Sequence, residues 1–279
     1  MIKLIRELRH KYLRSLKPLW LILGKIYRFF APIFRFKCDQ YINKYGPFKF
    51  DSVFLFSNYS EFGGGHNPGF EHLIKNLKYA DTFFDVGAHI GLVSIPAAIN
   101  MKIGSKIVAF EPFGKNFLHL KNHINNNKLH DKVFLNDNLV GERTCKRSFF
   151  ISKNESPINS ISKVHQIENY KEVKLNQITL DDYCNETGII PQIIKIDVEG
   201  AEINVLKGSR KIIEKYKPLI YLSIHPIHIK ALGQDLNDLK NIIKKFNYRI
   251  EDFEGEKITD YKMSEYLMIP KDKRKRTLK

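Results

Sequence analysis

The sequence predicts a doubly wound α/β domain on a mostly parallel sheet, and two observations carry that expectation. From about residue 82 to 224, short runs of apolar, branched and aromatic residues alternate with helical patterns, the order that builds β-α-β units and therefore parallel strands. Glycines and carboxylates cluster where these runs end, at the carboxyl ends of strands, where open α/β sheets collect their ligands. A chain of 279 residues, 43% of them hydrophobic, can bury one large core of this kind.

Taken in order, "TFFDVGAHIG" reads as a first strand running into a turn, "LVSIPAAIN" as a helix, "KIVAFEP" as a second strand, "NFLHLKNHINNN" as a second helix and "KVFLNDNLV" as a third strand. An irregular section from about 141 to 170 includes "RSFFISK", which has the pattern of a hairpin strand. A helix opens at "TLDDY", where Thr179 and Asp182 have capping-box spacing. "IIKID" is the fourth strand, "INVLKGSRKIIEKY" a single helix after it, "PLIYLSIHP" the fifth strand and "LNDLKNIIKKF" a further helix. "YRIEDF" and "EYLMIP" close the domain as an antiparallel pair. The predicted organisation is a basic, amphipathic helical segment over 1–50, the α/β domain over 51–270 and a basic tail over 271–279.

The segment before the domain has its own character. Ile2, Ile5, Leu8, Tyr12 and Leu16 recur at helical spacing with Lys and Arg opposite them. The following "PLWLILGKIYRFFAPIF" is interrupted by Lys25 and Arg28, and spanning a bilayer takes about 20 uninterrupted apolar residues. The expectation is an interfacial segment in peripheral contact with an anionic membrane, or else a helical appendage packed on protein. No small-residue cleavage site follows it. With 46 Lys plus Arg against 30 Asp plus Glu, the formal charge of +16 favours anionic partners: lipid surface, phosphorylated substrate or nucleic acid. Cys38, Cys145 and Cys184 lie far apart with no CxxC spacing, which suits a reduced, cytoplasmic setting, at the inner face of the membrane if peripheral. No HExxH is present, and the proline inside "HPIH" spoils His225 and His228 as a helical ligand pair, so no metal site is expected.

Chemistry concentrates at the strand ends. In "DVGAHIG", Gly87 and Gly91 let the backbone come close to a ligand, and Glu111 ends the second strand twenty residues after Gly91. A carboxylate there can accept from both ribose hydroxyls of a nucleoside. The turn lacks the GxGxxG of a dinucleotide site, and Asp85 at its mouth would repel phosphate and attract a cation. S-adenosylmethionine, with a sulfonium and an α-amino group, suits that mouth better than NAD. The run Gly63, Gly64, Gly65 is a turn or a lid and no P-loop, since no GK[ST] follows. On the fourth strand Lys195 and Asp197 share a face and can neutralise one another. Asp197 and Glu199 then stand beside the reacting position, while Glu202 reads as an electrostatic helix cap.

The combination "DVGAHIG", "FEP", "ITLDDY", "IIKIDVEGAEINVLKG" and "IHP", in that order, resembles the FkbM-type methyltransferases over about residues 67 to 270. The resemblance implies the seven-stranded class I methyltransferase sheet, S-adenosylmethionine as cofactor, and O-methylation of sugars, polyketide-derived molecules or surface glycans. It implies a cofactor site at Asp85, Gly87, Ala88, His89, Gly91, Glu111 and Asn138, with a glycan or another hydroxyl-bearing acceptor. Ser223 stands where the family often has a glutamate two residues before His225. The candidates for taking the acceptor's proton are, in order, His225, Asp197 and Glu199. His225 leads because imidazole titrates near neutrality. Two alternatives remain open at this point: a nucleic-acid methyltransferase, which the charge suits although no RNA-binding module is visible, and a catalytically silent binding protein of the same fold.

Overall fold

The computed structural model describes residues 27, 36–65, 67–152 and 170–272, and the chain divides into two compact units, 1–61 and 62–279. In the first unit, β1 (Lys37–Ile42) and β2 (Tyr45–Asp51) form an antiparallel hairpin. The helical reading of 1–50 is corrected here for its last part. Burial alternates along β1, with Cys38, Gln40 and Ile42 inside and Lys37, Asp39 and Tyr41 outside, a period of two that only a strand satisfies. The proposed amphipathic segment itself lies outside the described residues, Tyr27 excepted. Among the described residues no helix is long and apolar enough to cross a membrane.

The first element of the second unit is α1 (Phe70–Leu77). Then come β3 (Thr82–Val86), α2 (Ser94–Asn100), β4 (Lys106–Phe110), α3 (Gly114–Asn126) and β5 (Val133–Asn136). A side sheet follows: β6 (Leu139–Val140), β7 (Cys145–Ser152) and β8 (Tyr170–Ile178), with β7 antiparallel to β8 along its length. The remaining elements are α4 (Leu180–Thr187), β9 (Ile193–Ile196), α5 (Glu202–Lys207), α6 (Arg210–Tyr216), β10 (Leu219–Ile224), α7 (Pro226–Ala231), α8 (Leu236–Lys245), β11 (Tyr248–Glu251) and β12 (Ser264–Pro270).

The main sheet has seven strands in the order β11-β12-β10-β9-β3-β4-β5. Its pairs from β10 to β5 are parallel, and β12 runs antiparallel to both its neighbours. This is the doubly wound, mostly parallel sheet that the alternating pattern predicts, with the seven strands that the resemblance implies. Strands β3, β4, β9 and β10 are apolar on both faces because helices cover both, and Phe84, Val108, Ile194 and Leu222 are fully buried at the centre. The strand order reverses between β3 and β9, so the carboxyl ends of those two strands and of β4 form the crevice in which the site lies.

Two local readings are corrected. "KVFLNDNLV" is not one strand. The Asn136 side chain accepts from the Asn138 amide at 2.9 Å, which turns the chain and sends β6 into the side sheet. "INVLKGSRKIIEKY" is not one helix either. Gly208 passes so close to Gly141 that a Cβ would meet its carbonyl at 1.9 Å, and the Gly208 carbonyl accepts from Asp181 N at 3.0 Å. The helix breaks there, and the Asp181 carboxylate caps α6 by accepting from Lys211 N and Ile212 N, both at 2.9 Å. Thr179 caps α4 as its spacing suggested, accepting from Asp182 N.

Candidate active site

Strand β3 ends in the turn Gly87–Ala88–His89, whose first two amides both donate to the Phe110 carbonyl, at 3.0 and 2.9 Å. That fixes the turn to the end of β4, where Glu111 begins the next loop. The Glu111 carboxylate closes the arrangement: Oε2 accepts from His89 N at 2.8 Å and Oε1 from Phe113 N at 3.0 Å. Glu111 is 6% exposed. Burial pushes its pKa up to about 7, against the pull of the bonds from Phe113, His89 and Asn116. With two backbone donors and the Asn116 side chain on its roughly four acceptor positions, the carboxylate keeps room for about one more donor.

A cleft of about 260 Å³ opens above this turn. Six of the seven residues proposed for the cofactor line it: Asp85, Gly87, Ala88, His89, Glu111 and Asn138. Gly91 stands behind the turn, where a Cβ would meet Ile95 and Leu120 at 3.0 Å, so its smallness serves helix packing. Gly87 lines the cleft, yet its need for glycine also has another origin. Its φ is +85°, and a Cβ would lie 1.9 Å from the Asp197 carbonyl at the end of the neighbouring strand. Asp85 is not an open acidic mouth but the floor: it is fully buried, with Oδ2 accepting from Ser94 Oγ at 2.6 Å and Oδ1 lacking a hydrogen-bond partner among the described residues. Burial raises its pKa.

Beneath the cleft, Lys195 and Asp197 are the pair their spacing implied, with Nζ 3.1 Å from Asp197 Oδ2 and 3.9 Å from Asp85 Oδ1. Burial would lower the Lys195 pKa, but Asp197, Asp85 and Glu265 together hold it above its ordinary value. Asp197 is opposed by burial and nonetheless held below the usual carboxylate range by Lys195 and His225. Glu265, which sequence reasoning missed, reaches this group across the antiparallel β10–β12 pairing opposite Ser223, is 2% exposed, and accepts from Gly69 N at 3.0 Å. Burial pushes its pKa up to about 7. Nothing in "SEYLMIP" marks that role, because it depends on which strand lies next door.

Asp197 and Glu199 also line a second recess of about 170 Å³, shared with Asn67, Ser223 and His225. Glu199 occupies the left-handed region at φ +50°, uncommon for such a residue and imposed by the turn after β9. His225 is 8% exposed. Its Nδ1 lies 2.7 Å from Glu202 Oε1, which also accepts from Gly200 N at 3.0 Å. Glu202 is therefore a buried anchor for the imidazole as well as a first-turn acid. Nε2 of His225 faces Asp197 Oδ1 and Glu199 Oε2, each at 3.7 Å. His228, on α7, stacks on His225 with ring centres 5.7 Å apart and places Nδ1 2.9 Å from Glu199 Oε2. Burial would lower the His225 pKa, but Glu202, Glu199 and Asp197 push it up to about 9. At neutral pH the imidazole thus holds its proton, which removes the ground for ranking it first as the base.

Comparison with known proteins follows the same lines. The family model described as the methyltransferase FkbM domain matches residues 85–250. Among solved structures, an FkbM methyltransferase from Methylobacillus flagellatus KT is 20% identical, with 89% of this chain and 59% of that one covered and a TM-score of 0.44. An O-methyltransferase from Bacillus cereus in complex with SAH is 10% identical over 71% of this chain and 77% of that one, with a TM-score of 0.42. A putative caffeoyl-CoA O-methyltransferase from Staphylococcus aureus is 9% identical over 92% and 98%, with a TM-score of 0.44. The chain spans 59% of the length of the Methylobacillus protein. No curated protein matches it.

Proposed function

Because the chain belongs to the FkbM methyltransferase family, we propose that it transfers a methyl group from S-adenosylmethionine to a hydroxyl, and that the acceptor is a sugar of a surface glycan or glycolipid. One observation supports this most: the cleft beside Glu111 and the recess beside His225 share Asp197 and Glu199, so a nucleoside pocket runs directly into a polar acceptor pocket. The residues present fit the cofactor. Glu111 keeps an acceptor position for a ribose hydroxyl, Phe113, Leu139 and Phe149 supply an apolar wall for the purine, and Asp85 Oδ1 is a buried acceptor on the floor with no hydrogen-bond partner among the described residues.

When bound, the cofactor supplies an electrophilic methyl carbon: the O–C bond forms as the S–C bond breaks, and the electron pair stays on sulfur. The chain has to align the hydroxyl and remove its proton. With His225 protonated, the proton passes to a carboxylate, Asp197 before Glu199 because Asp197 lies deeper at the junction. Lys195 holds Asp197 in place at some cost to its basicity.

The test is incubation with S-adenosylmethionine labelled in its methyl group and cell extract, followed by separation into lipid, polysaccharide, nucleic-acid and protein fractions. Label in polysaccharide or glycolipid supports the proposal. Label confined to nucleic acid or protein overturns the acceptor class, and cofactor binding with no label anywhere identifies a silent binding protein.

A further inference from the structure

We propose that Asp197, Glu199 and Nε2 of His225 hold a divalent first-row cation in the recess beside Ser223, and that this cation binds the acceptor hydroxyl. The inference deepens the proposed function and rests on it only for the cation's role. Three facts about the recess support it.

The first is ligand chemistry. Two carboxylates and an imidazole come from three different places, the end of β9, the turn after it and the end of β10, and their candidate donor atoms all lie within 4.8 Å of one another. Such a mixed oxygen and nitrogen set suits Mn²⁺, Fe²⁺ or Zn²⁺ better than Ca²⁺, which takes oxygen ligands alone. The second is spacing. Nε2 stands 3.7 Å from each carboxylate oxygen, too far for a hydrogen bond. Donor atoms around an ion at about 2.0–2.2 Å sit roughly 3.0–3.5 Å apart, so a contraction of a few tenths of an ångström would bring the imidazole to ligand spacing from each carboxylate. The third is support behind the donors. Glu202 accepts from Nδ1, which leaves Nε2 as the nitrogen facing the recess; a carboxylate behind a ligating histidine is the usual way to fix such a ligand. Ser223, 4% exposed, lines the same recess, and its Oγ has no hydrogen-bond partner among the described residues. A buried hydroxyl left unpaired costs stability, and a cation or its bound water would satisfy it.

A cation here would lower the pKa of a coordinated hydroxyl, as metals do for bound water. With the cation bound, Asp197 and His225 serve as ligands, His225 giving up its Nε2 proton on ligation, so the O–H proton passes instead to the carboxylate oxygen of Glu199 that the cation does not use and on to solvent, since Glu199 is 37% exposed. The alkoxide oxygen takes the methyl group. The sequence suggested no metal site because its ligand patterns are local, whereas these donors meet only through the β9–β10 pairing.

The experiment uses the untagged full chain, stripped with chelator and titrated with Mn²⁺, with free Mn²⁺ read by electron paramagnetic resonance. One Mn²⁺ per chain is expected, with affinity falling at least about tenfold in Asp197→Asn, His225→Gln and Glu199→Gln. Glu199 is partly exposed, so its variant tests the site even if the buried ones fold poorly. Glu111→Gln, at the other end of the cleft, should bind Mn²⁺ as the parent does. Absence of stoichiometric binding, or binding that all three variants leave unchanged, overturns the proposal. Methyl transfer that persists in chelator-stripped, metal-free protein overturns it too while leaving the proposed function standing. Mn²⁺ binding without transfer to any fraction upholds the cation site and overturns the functional reading.

Discussion

At the Glu111 end of the cleft, both carboxylate oxygens are met by backbone N–H groups of adjoining turns, and the pocket wall is largely apolar. At the Asp197 end, carboxylates, an ammonium and imidazoles crowd together, and buried polar atoms such as Asp85 Oδ1 and Ser223 Oγ have no hydrogen-bond partner among the described residues. The first end is built to bind with little rearrangement. The second holds charge that the protein alone does not fully satisfy, the usual condition of a place where chemistry happens. The contrast teaches where to cut: substitutions at one end should affect affinity, and those at the other should affect rate.

The largest effect expected is on rate. Asp197→Asn keeps the shape and removes the carboxylate, and single-turnover methyl transfer should fall by about 10²–10⁴. Retention of near-parental turnover would remove Asp197 from the reaction, both as proton acceptor and as cation ligand. Next is Gly87→Ala, which forces a Cβ against the Asp197 carbonyl at φ +85°. A loss of about 3 kcal/mol or more is expected, or roughly 6–12 °C in Tm. An unchanged melt would show that the strand ends can separate freely.

The pH dependence sharpens the binding end. Glu111 is raised to about 7 in the fold, so its ionisation disfavours the folded state: the raised pKa contributes stability below the unfolded value and loses it as pH rises through about 7. Cofactor affinity runs the other way, because ribose recognition uses the carboxylate. Affinity measured at pH 6 should be about tenfold weaker than at pH 8, and Glu111→Gln should flatten that profile. A parental profile with no such slope would separate Glu111 from the ribose. Smallest is Asp181→Ala, which removes the cap of α6 and should cost about 1 kcal/mol, seen as a Tm lower by roughly 2–4 °C with turnover unaffected.

Much of the binding end was legible because its parts are local. A strand, a glycine turn and a carboxylate twenty residues on are consecutive in the chain, and the β-α-β rule places them at one crevice. The reactive end was legible only as a set of candidates. Glu202 looked like a helix cap because its partner His225 is 23 residues away. Glu265 arrives by antiparallel pairing with β10, which no local pattern encodes. His228 was discounted for the proline beside it, although Pro226 simply begins α7 at a position where its missing N–H is harmless. The break at Gly208 was invisible for the same reason, since what forces it is the backbone of Gly141, just after β6 and far away in the sequence.

The most direct test of this division is calorimetric titration of S-adenosylmethionine into the parent chain, Glu111→Ala and Asp197→Asn. Losing a charged hydrogen-bond acceptor costs about 1.5–3 kcal/mol, so Glu111→Ala should bind at least about tenfold more weakly while Asp197→Asn binds within about twofold of the parent. Unchanged affinity in Glu111→Ala, or an equal loss in Asp197→Asn, would contradict the account.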